Sequence, residues 1–242
     1  MNSLSGKSAL VTGGAKRLGQ AIALELARAG ADVTLTFRHS ADDAVETVDA
    51  IEQLGRRGFA VECNVRSEES VRDAIAAVMA EHGRLDILVN NAGVFQKVAL
   101  PEITLEQWDE VFETNARGPF LVSREALPHL RAAGGRIVHL GSLGGIRAWA
   151  SHAHYCASKA ALHMLTQAQA KAFAPQVAVN CVAPGFIAMD RDEAESGEHF
   201  AAKTPMGRNG TAEDVARAVL FFASAPEFIT GQILVVDGGL SL

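Results

Sequence analysis

Six short runs of aliphatic and β-branched residues alternate with long stretches of helical spacing, and no other feature constrains the fold as tightly. The runs are Ala9 to Thr12, Val33 to Phe37, Ile87 to Asn90, Ile137 to Leu140, Val177 to Val182 and Ile233 to Val236. Several are apolar on both faces, as parallel strands covered by helices above and below must be. The spacing between them predicts helices over Arg17–Ala29, Asp42–Leu54, Glu68–His82, Leu105–Thr114, Pro119–Arg131, Tyr155–Phe173 and Ala212–Ala223. Repeated strand–helix–strand units of this kind make a doubly wound α/β sheet with helices on both faces. With 242 residues, 48% of them hydrophobic, and no compositional break, the expectation is a single domain spanning 1–242. The one long stretch without clear periodicity, 186–208, follows a strand and precedes a helix, which marks it as a lid over a site.

A net charge of −6 and scattered lysines and arginines supply no basic field for nucleic acid. The polar start, Met1 to Lys7, leads into an apolar run far too brief for a signal peptide or a membrane span, so the expectation is a cytoplasmic enzyme with no membrane partner. Three cysteines, Cys63, Cys156 and Cys181, suit neither a disulfide framework nor a zinc site and read as buried thiols. His152 and His154 form a His-x-His pair, but no third ligand sits at a useful spacing; they read as loop residues, and no metal is expected.

After the first strand comes Thr12-Gly13-Gly14-Ala15-Lys16-Arg17-Leu18-Gly19, and then a helix begins. A glycine-rich turn there lets a pyrophosphate approach the backbone and sit at the positive helix N-terminus. The spacing is Gly-x-x-x-Arg-x-Gly, which a tight turn without ligand could also use. The second strand ends Phe37-Arg38-His39-Ser40, with no acid until Asp42. A carboxylate at that end would favour NAD by holding ribose hydroxyls and repelling a 2'-phosphate. Arg17 and Arg38 instead offer guanidinium forks and Ser40 a hydroxyl, so the cofactor expected is NADPH, unless Arg38 is only a solvated strand-end residue.

Tyr155 is the only tyrosine, four residues before Lys159 on one helix face. An adjacent ammonium favours the phenolate and moves a phenol toward the working pH range, where it can give a proton to a carbonyl oxygen. Ser142, just beyond a strand, could hydrogen-bond the same oxygen.

Thr12 to Gly19, Asn90-Asn91-Ala92-Gly93, Asn115, Ser142, Tyr155-Cys156-Ala157-Ser158-Lys159 and Pro184-Gly185 resemble, in order and spacing, the short-chain dehydrogenases/reductases over essentially the full chain. The resemblance implies a Rossmann-type sheet of seven parallel strands, a cofactor across their C-terminal ends, and a homotetramer. It implies Tyr155 as general acid, Lys159 as ribose ligand and modulator of the tyrosine, and Ser142 as the group orienting the carbonyl. Asn115, at a helix break before Gly118, would hold a water linking Lys159 to solvent. Gly13, Arg17, Leu18 and Gly19 would take the phosphates, with Arg38, His39 and Ser40 beside the 2'-phosphate. Asn91, Ala92 and Gly93 would line the adenosine ribose, and Pro184, Gly185 and Ile187 the carboxamide. Two positions depart from the family: Asn64, beside Val65 in the adenine pocket, replaces a common aspartate, and Met189 replaces a common threonine.

Two subgroups compete. Ser142, Val89 to Gly93 and Gly231 to Gly239 are similar to 3-oxoacyl-carrier-protein reductases. Gly14 to Gly19, Arg38-His39-Ser40, Ala174 to Val177 and Phe95, placed where a pterin ring would stack, are similar to pteridine reductases. Those enzymes tend to carry aspartate where this chain has Ser142, and serine suits a carbonyl better; Phe95 is equally read as an aromatic filling apolar space. Five acids in the expected lid, Asp190, Asp192, Glu193, Glu195 and Glu198, would repel an acidic carrier, unless the loop is simply solvated. The expectation is an NADPH-dependent reductase of a small ketone or aldehyde. A reductase of dihydropterins is the alternative, and a non-catalytic NADP(H)-binding protein a further one.

Overall fold

The computed structural model describes residues 3–189 and 194–242. Seven strands, β1 (Ser8–Val11), β2 (Asp32–Phe37), β3 (Gly58–Glu62), β4 (Ile87–Asn90), β5 (Arg136–Leu140), β6 (Ala178–Pro184) and β7 (Ile233–Val236), form one sheet in the order β3-β2-β1-β4-β5-β6-β7. Every pairing is parallel, with Val11 level with Leu35 of β2 on one side and Val89 of β4 on the other. The helices are α1 (Arg17–Arg28), α2 (Ala41–Gln53), α3 (Glu68–His82), α4 (Leu105–Phe112), α5 (Gly118–Ala133), α6 (Ala153–Phe173), α7 (Ala194–Lys203) and α8 (Ala212–Ser224).

The alternation of side chains along each strand explains why both faces are covered. Ala9, Val11, Val33, Leu35, Ile87 and Val89 join a core completed by α1, α2 and α8; Leu10, Leu88, Ile137 and Val179 point the other way into a core with α3, α5 and α6. The chain turns away from β1 in opposite directions, so β1 and β4 are neighbours whose following loops part above them. That gap is where open α/β sheets hold ligands.

The structure corrects the sequence reading at four places. The expected runs omitted β3, whose residues are only partly buried at the sheet edge. The stretch 186–208 contains the helix α7, and the acids Asp190, Asp192 and Glu193 lie outside the described residues, as do the side chains of Glu195 and Glu198. His154 is no loop residue: it lies in the first turn of α6, fully buried, its ring 3.3 Å from Gln96 Oε1. There is also no helix break before Gly118. One turn of π-helix, Glu113–Arg117, carries α4 directly into α5, with the Gly118 N–H bonded to the Glu113 carbonyl. The wider turn admits Pro119, whose missing N–H cannot bond, and brings Gly118 against Val65, where an added Cβ would lie 3.0 Å from Cγ2.

The three cysteines are buried and free. Among the described residues, no helix is long and apolar enough to cross a membrane.

Candidate active site

Thr12 ties the two central loops together. Its Oγ1 accepts from the N–H groups of Asn91 and Ala92, both at 3.0 Å, while Asn91 Nδ2 donates to the carbonyls of Thr12 and Gly13, both at 2.9 Å. Gly13 turns with φ +62°, and a Cβ on Gly19 would stand 2.1 Å from the Gly13 carbonyl oxygen, so this turn admits no side chain at that point. Arg17 opens α1 at φ +54°, the one described non-glycine residue in the left-handed region. No acid occupies the first turn of α1 and no side chain caps it, leaving its N–H groups and positive end toward the cleft.

The cleft above the strands encloses about 1080 Å³. Gly13, Arg17, Leu18, Gly19, Arg38, Asn64, Val65, Asn91, Ala92, Gly93, Phe95, Ser142, Tyr155, Gly185 and Ile187 all line it, and Met189 does as well. A pocket of about 210 Å³ at the same end adds Lys159 and Pro184 to Ser142 and Tyr155. Three expected residues line neither. His39 is exposed beyond Arg38, Ser40 precedes α2, and Asn115 is wholly buried.

Asn115 sits on the π turn with both amide hydrogens and its carbonyl oxygen engaged. Its Oδ1 accepts from Val94 N–H at 2.8 Å, and its Nδ2 donates to the Val94 carbonyl at 2.9 Å and to Ser158 Oγ at 3.1 Å. It therefore grips the loop after β4 from behind. Lys159, one turn beyond Tyr155, donates to the Leu140 carbonyl at 2.7 Å, and its Nζ lies 5.8 Å from the centre of the Tyr155 ring. Burial pushes the lysine down to about 8. Burial likewise raises the Tyr155 phenol above its ordinary value, and a hydrogen bond from the Ser142 hydroxyl partly offsets this. The sequence reading assigned that lowering to the ammonium; here the opposing group is Ser142, because Lys159 is turned toward the end of β5.

Ser142 follows β5 in extended conformation and caps a short 3-10 turn, Leu143–Gly145. Its Oγ accepts from Gly144 N–H at 3.0 Å, and its own N–H donates to His163 Nε2 at 3.4 Å. Aromatic rings surround Tyr155. Phe95 meets it edge-on at 4.8 Å and stacks on His152 at 4.6 Å, while Trp149 lies parallel to Tyr155 at 6.3 Å. The sequence reading named Phe95 but missed Trp149, His152, Arg66, Lys97 and Phe200 as cleft residues. Trp149, one of two tryptophans, six residues before the sole tyrosine, was the available signal. The others carry none, since Arg66 and Lys97 lie in loops, His152 in a short 3-10 turn and Phe200 on α7, with no fixed spacing to the motif residues.

A model of the family described as enoyl-(acyl carrier protein) reductase matches residues 13–241. The 3-oxoacyl-[acyl-carrier-protein] reductase of Staphylococcus aureus is 38% identical over 97% of this chain and 98% of that protein. The hydroxynaphthalene reductase of Aspergillus fumigatus is 36% identical over 95% of this chain and 90% of that protein. Among solved structures, a short-chain type dehydrogenase/reductase from Mycobacterium marinum superimposes with TM-score 0.92 at 34% identity, covering 98% of this chain and 96% of the other. A doubly substituted short-chain dehydrogenase/reductase from Serratia marcescens gives TM-score 0.93 at 35% identity, covering 99% of both chains. The chain belongs to the short-chain dehydrogenase/reductase family of oxidoreductases.

Proposed function

We propose that the protein is an NADPH-dependent reductase of ketone or aldehyde carbonyls, with 3-oxoacyl compounds as the first substrate class. The observation that carries this is the gathering of Ser142, Tyr155 and Lys159 at one end of a cleft whose other end is the Gly13–Gly19 turn and Arg38. The glycine turn fits a dinucleotide, because Gly19 lets the start of α1 pack directly on the Gly13 carbonyl in a tight turn, and the open end of α1 suits a pyrophosphate. Arg17 and Arg38 at the adenosine end are the reason to prefer a 2'-phosphate. A bound nicotinamide supplies hydride to the carbonyl carbon.

The chain's own groups handle the oxygen. Ser142 donates a hydrogen bond to it, and Tyr155 delivers a proton as negative charge develops there. Lys159, positive below about pH 8, holds the cofactor ribose. Asn115 keeps the Val94 loop in place beside Lys159. We also propose that the chain is one catalytic domain in which 186–208 closes over the cleft, supported by Phe186, Ile187, Met189 and Phe200 among the lining residues. A cytoplasmic homotetramer belongs to the same reading, supported by half-exposed Phe221 on α8 and Leu234 on the open edge strand β7.

One observation favours a second substrate reading within carbonyl chemistry: the rings of Phe95, Trp149 and His152 around Tyr155 suit a flat cyclic ketone. A dihydropterin is the poorer fit, because one face of Phe95 is already stacked on His152 and Ser142 gives no carboxyl to protonate a ring nitrogen. The test is NADPH consumption on a 3-oxoacyl thioester, a bicyclic ketone and dihydrobiopterin. The proposal expects turnover of at least one of the first two; turnover of dihydrobiopterin alone overturns it.

A further inference from the structure

We propose that His163 is a positioning residue that fixes Ser142 for work on the substrate carbonyl. The proposal rests on the reading above, in which Ser142 contacts that carbonyl. His163 stands on α6 one turn beyond Lys159 and is 6% exposed. Its ring lies between two glycines of the Ser142 turn. A Cβ on Gly141 would be 2.3 Å from Nε2, and one on Gly145 would be 2.6 Å from Cε1, so both positions must be glycine for the imidazole to fit.

The ring is neutral. Burial is the main cause, the charge of Lys159 adds to it, and together they push the imidazole down to about 4 against a hydrogen bond to the Gly145 backbone. A neutral imidazole has one donor and one acceptor. Because Nε2 accepts the Ser142 N–H at 3.4 Å, the proton sits on Nδ1, which faces Gly145. The ring thus closes a clasp across the turn whose inner bonds are Gly144 N–H to Ser142 Oγ at 3.0 Å and Gly145 N–H to the Ser142 carbonyl at 2.9 Å. Around this clasp stand Lys159 and the Cys181 thiol; the thiol would lie 2.7 Å from a Cβ on Gly141, and burial pushes it up to about 12, so it stays protonated beside the ring. The ring is thus bonded through Nε2 and wedged between Gly141 and Gly145 against the backbone that carries Ser142.

The consequence is a dependence of turnover on His163 that runs through Ser142. A misplacement of a catalytic group by about 1 Å can cost ~10²-fold. His163→Leu is therefore expected to lower kcat about 10- to 100-fold with NADPH affinity unchanged. His163→Gln, which can still accept the Ser142 N–H, should recover most of it. In a Ser142→Ala background the further loss on His163→Leu should vanish, because the group it positions is gone. Full kcat in His163→Leu, or an equal loss in both backgrounds, overturns the proposal. If His163→Leu does not fold, Gly145→Ala displaces the ring from its other side and should reproduce the loss; normal kcat there counts against it equally. Exchange of the Ser142 amide hydrogen needs no substrate and separates this inference from the functional reading. It should be at least tenfold faster in His163→Leu and near the parent rate in His163→Gln, and an unchanged rate refutes the clasp even if no carbonyl compound is turned over.

Discussion

At Tyr155 two opposing effects meet: burial holds the proton on, and Ser142 draws it off. A protonated tyrosine is the form a reductase needs before hydride arrives, so burial serves the reductive direction. Tyr155→Phe removes only the donor, and turnover should drop by about 10² to 10⁴ while NADPH affinity stays level. Near-normal turnover in that variant would remove Tyr155 from the mechanism. Lys159 gives a prediction in pH. Its folded value, about 8, lies below the ordinary 10.5. Below about pH 8 the native chain carries a buried ammonium, at a cost of a few kcal/mol using about 1.4 per pH unit. Between about 8 and 10.5 the unfolded chain binds more protons than the native one, so this handicap fades as pH rises. Lys159→Met should therefore show its best stability relative to the parent at pH 7, with the difference shifting in the parent's favour toward pH 10. The Leu140 bond is lost at every pH, so the direction of the trend is the test. Urea midpoints at the two pH values measure it; a trend of opposite sign would count against a depressed lysine.

The π turn between α4 and α5 is an element whose effect can be weighed. Through Asn115 it supplies the partners of both backbone groups of Val94. An isosteric Asn115→Leu leaves those groups without side-chain partners, at about 1 to 3 kcal/mol for each one that water cannot reach. The urea midpoint should fall accordingly with an unchanged slope. A loss under about 0.5 kcal/mol would mean that the loop after β4 is held by other contacts. The turn also shows where the sequence stops being legible. A helix ending near Thr114 and another starting at Pro119 were readable, because proline interrupts the i to i+4 pattern; that one wide turn would bridge them was not, since it depends on the close approach of Gly118 to Val65. β3 escaped for a related reason: an edge strand running Gly-Phe-Ala-Val-Glu has one partner, partial burial and only three apolar residues in a row. Gly13, Gly19, Tyr155 and Lys159 were legible because their chemistry demands a residue type at a fixed spacing. His163 was not, since a histidine within a helical pattern resembles any other face residue until the turn 21 positions earlier folds against it.

For the molecule as a whole, the strand–helix alternation was enough to specify a parallel sheet with two covered faces, while the strand order, which sets β1 beside β4 and opens the cleft between their loops, depends on contacts across the chain. That order puts the proposed cofactor contacts on α1, β2, β4, β6 and the loops after them, so cofactor binding should stabilise the fold rather than one loop. A ligand that binds only the native state adds about 2.7 kcal/mol at a hundredfold excess over its Kd. For a chain of this size that corresponds to a rise in Tm of roughly 5 to 10 °C. The two nicotinamide cofactors differ by one phosphate at the adenosine end, where Arg17 and Arg38 line the cleft. Charge-assisted hydrogen bonds contribute about 1.5 to 3 kcal/mol each. NADPH at a given concentration should accordingly raise Tm by several degrees more than NADH, and the excess should shrink in Arg38→Ala and again in the double variant with Arg17→Ala. High salt should narrow it too, because Arg38 is exposed and its attraction for a phosphate is screened. Equal shifts by the two cofactors in the unaltered protein would assign Arg38 to solvent and return the 2'-phosphate preference to open choice, without touching the carbonyl chemistry at the other end of the cleft.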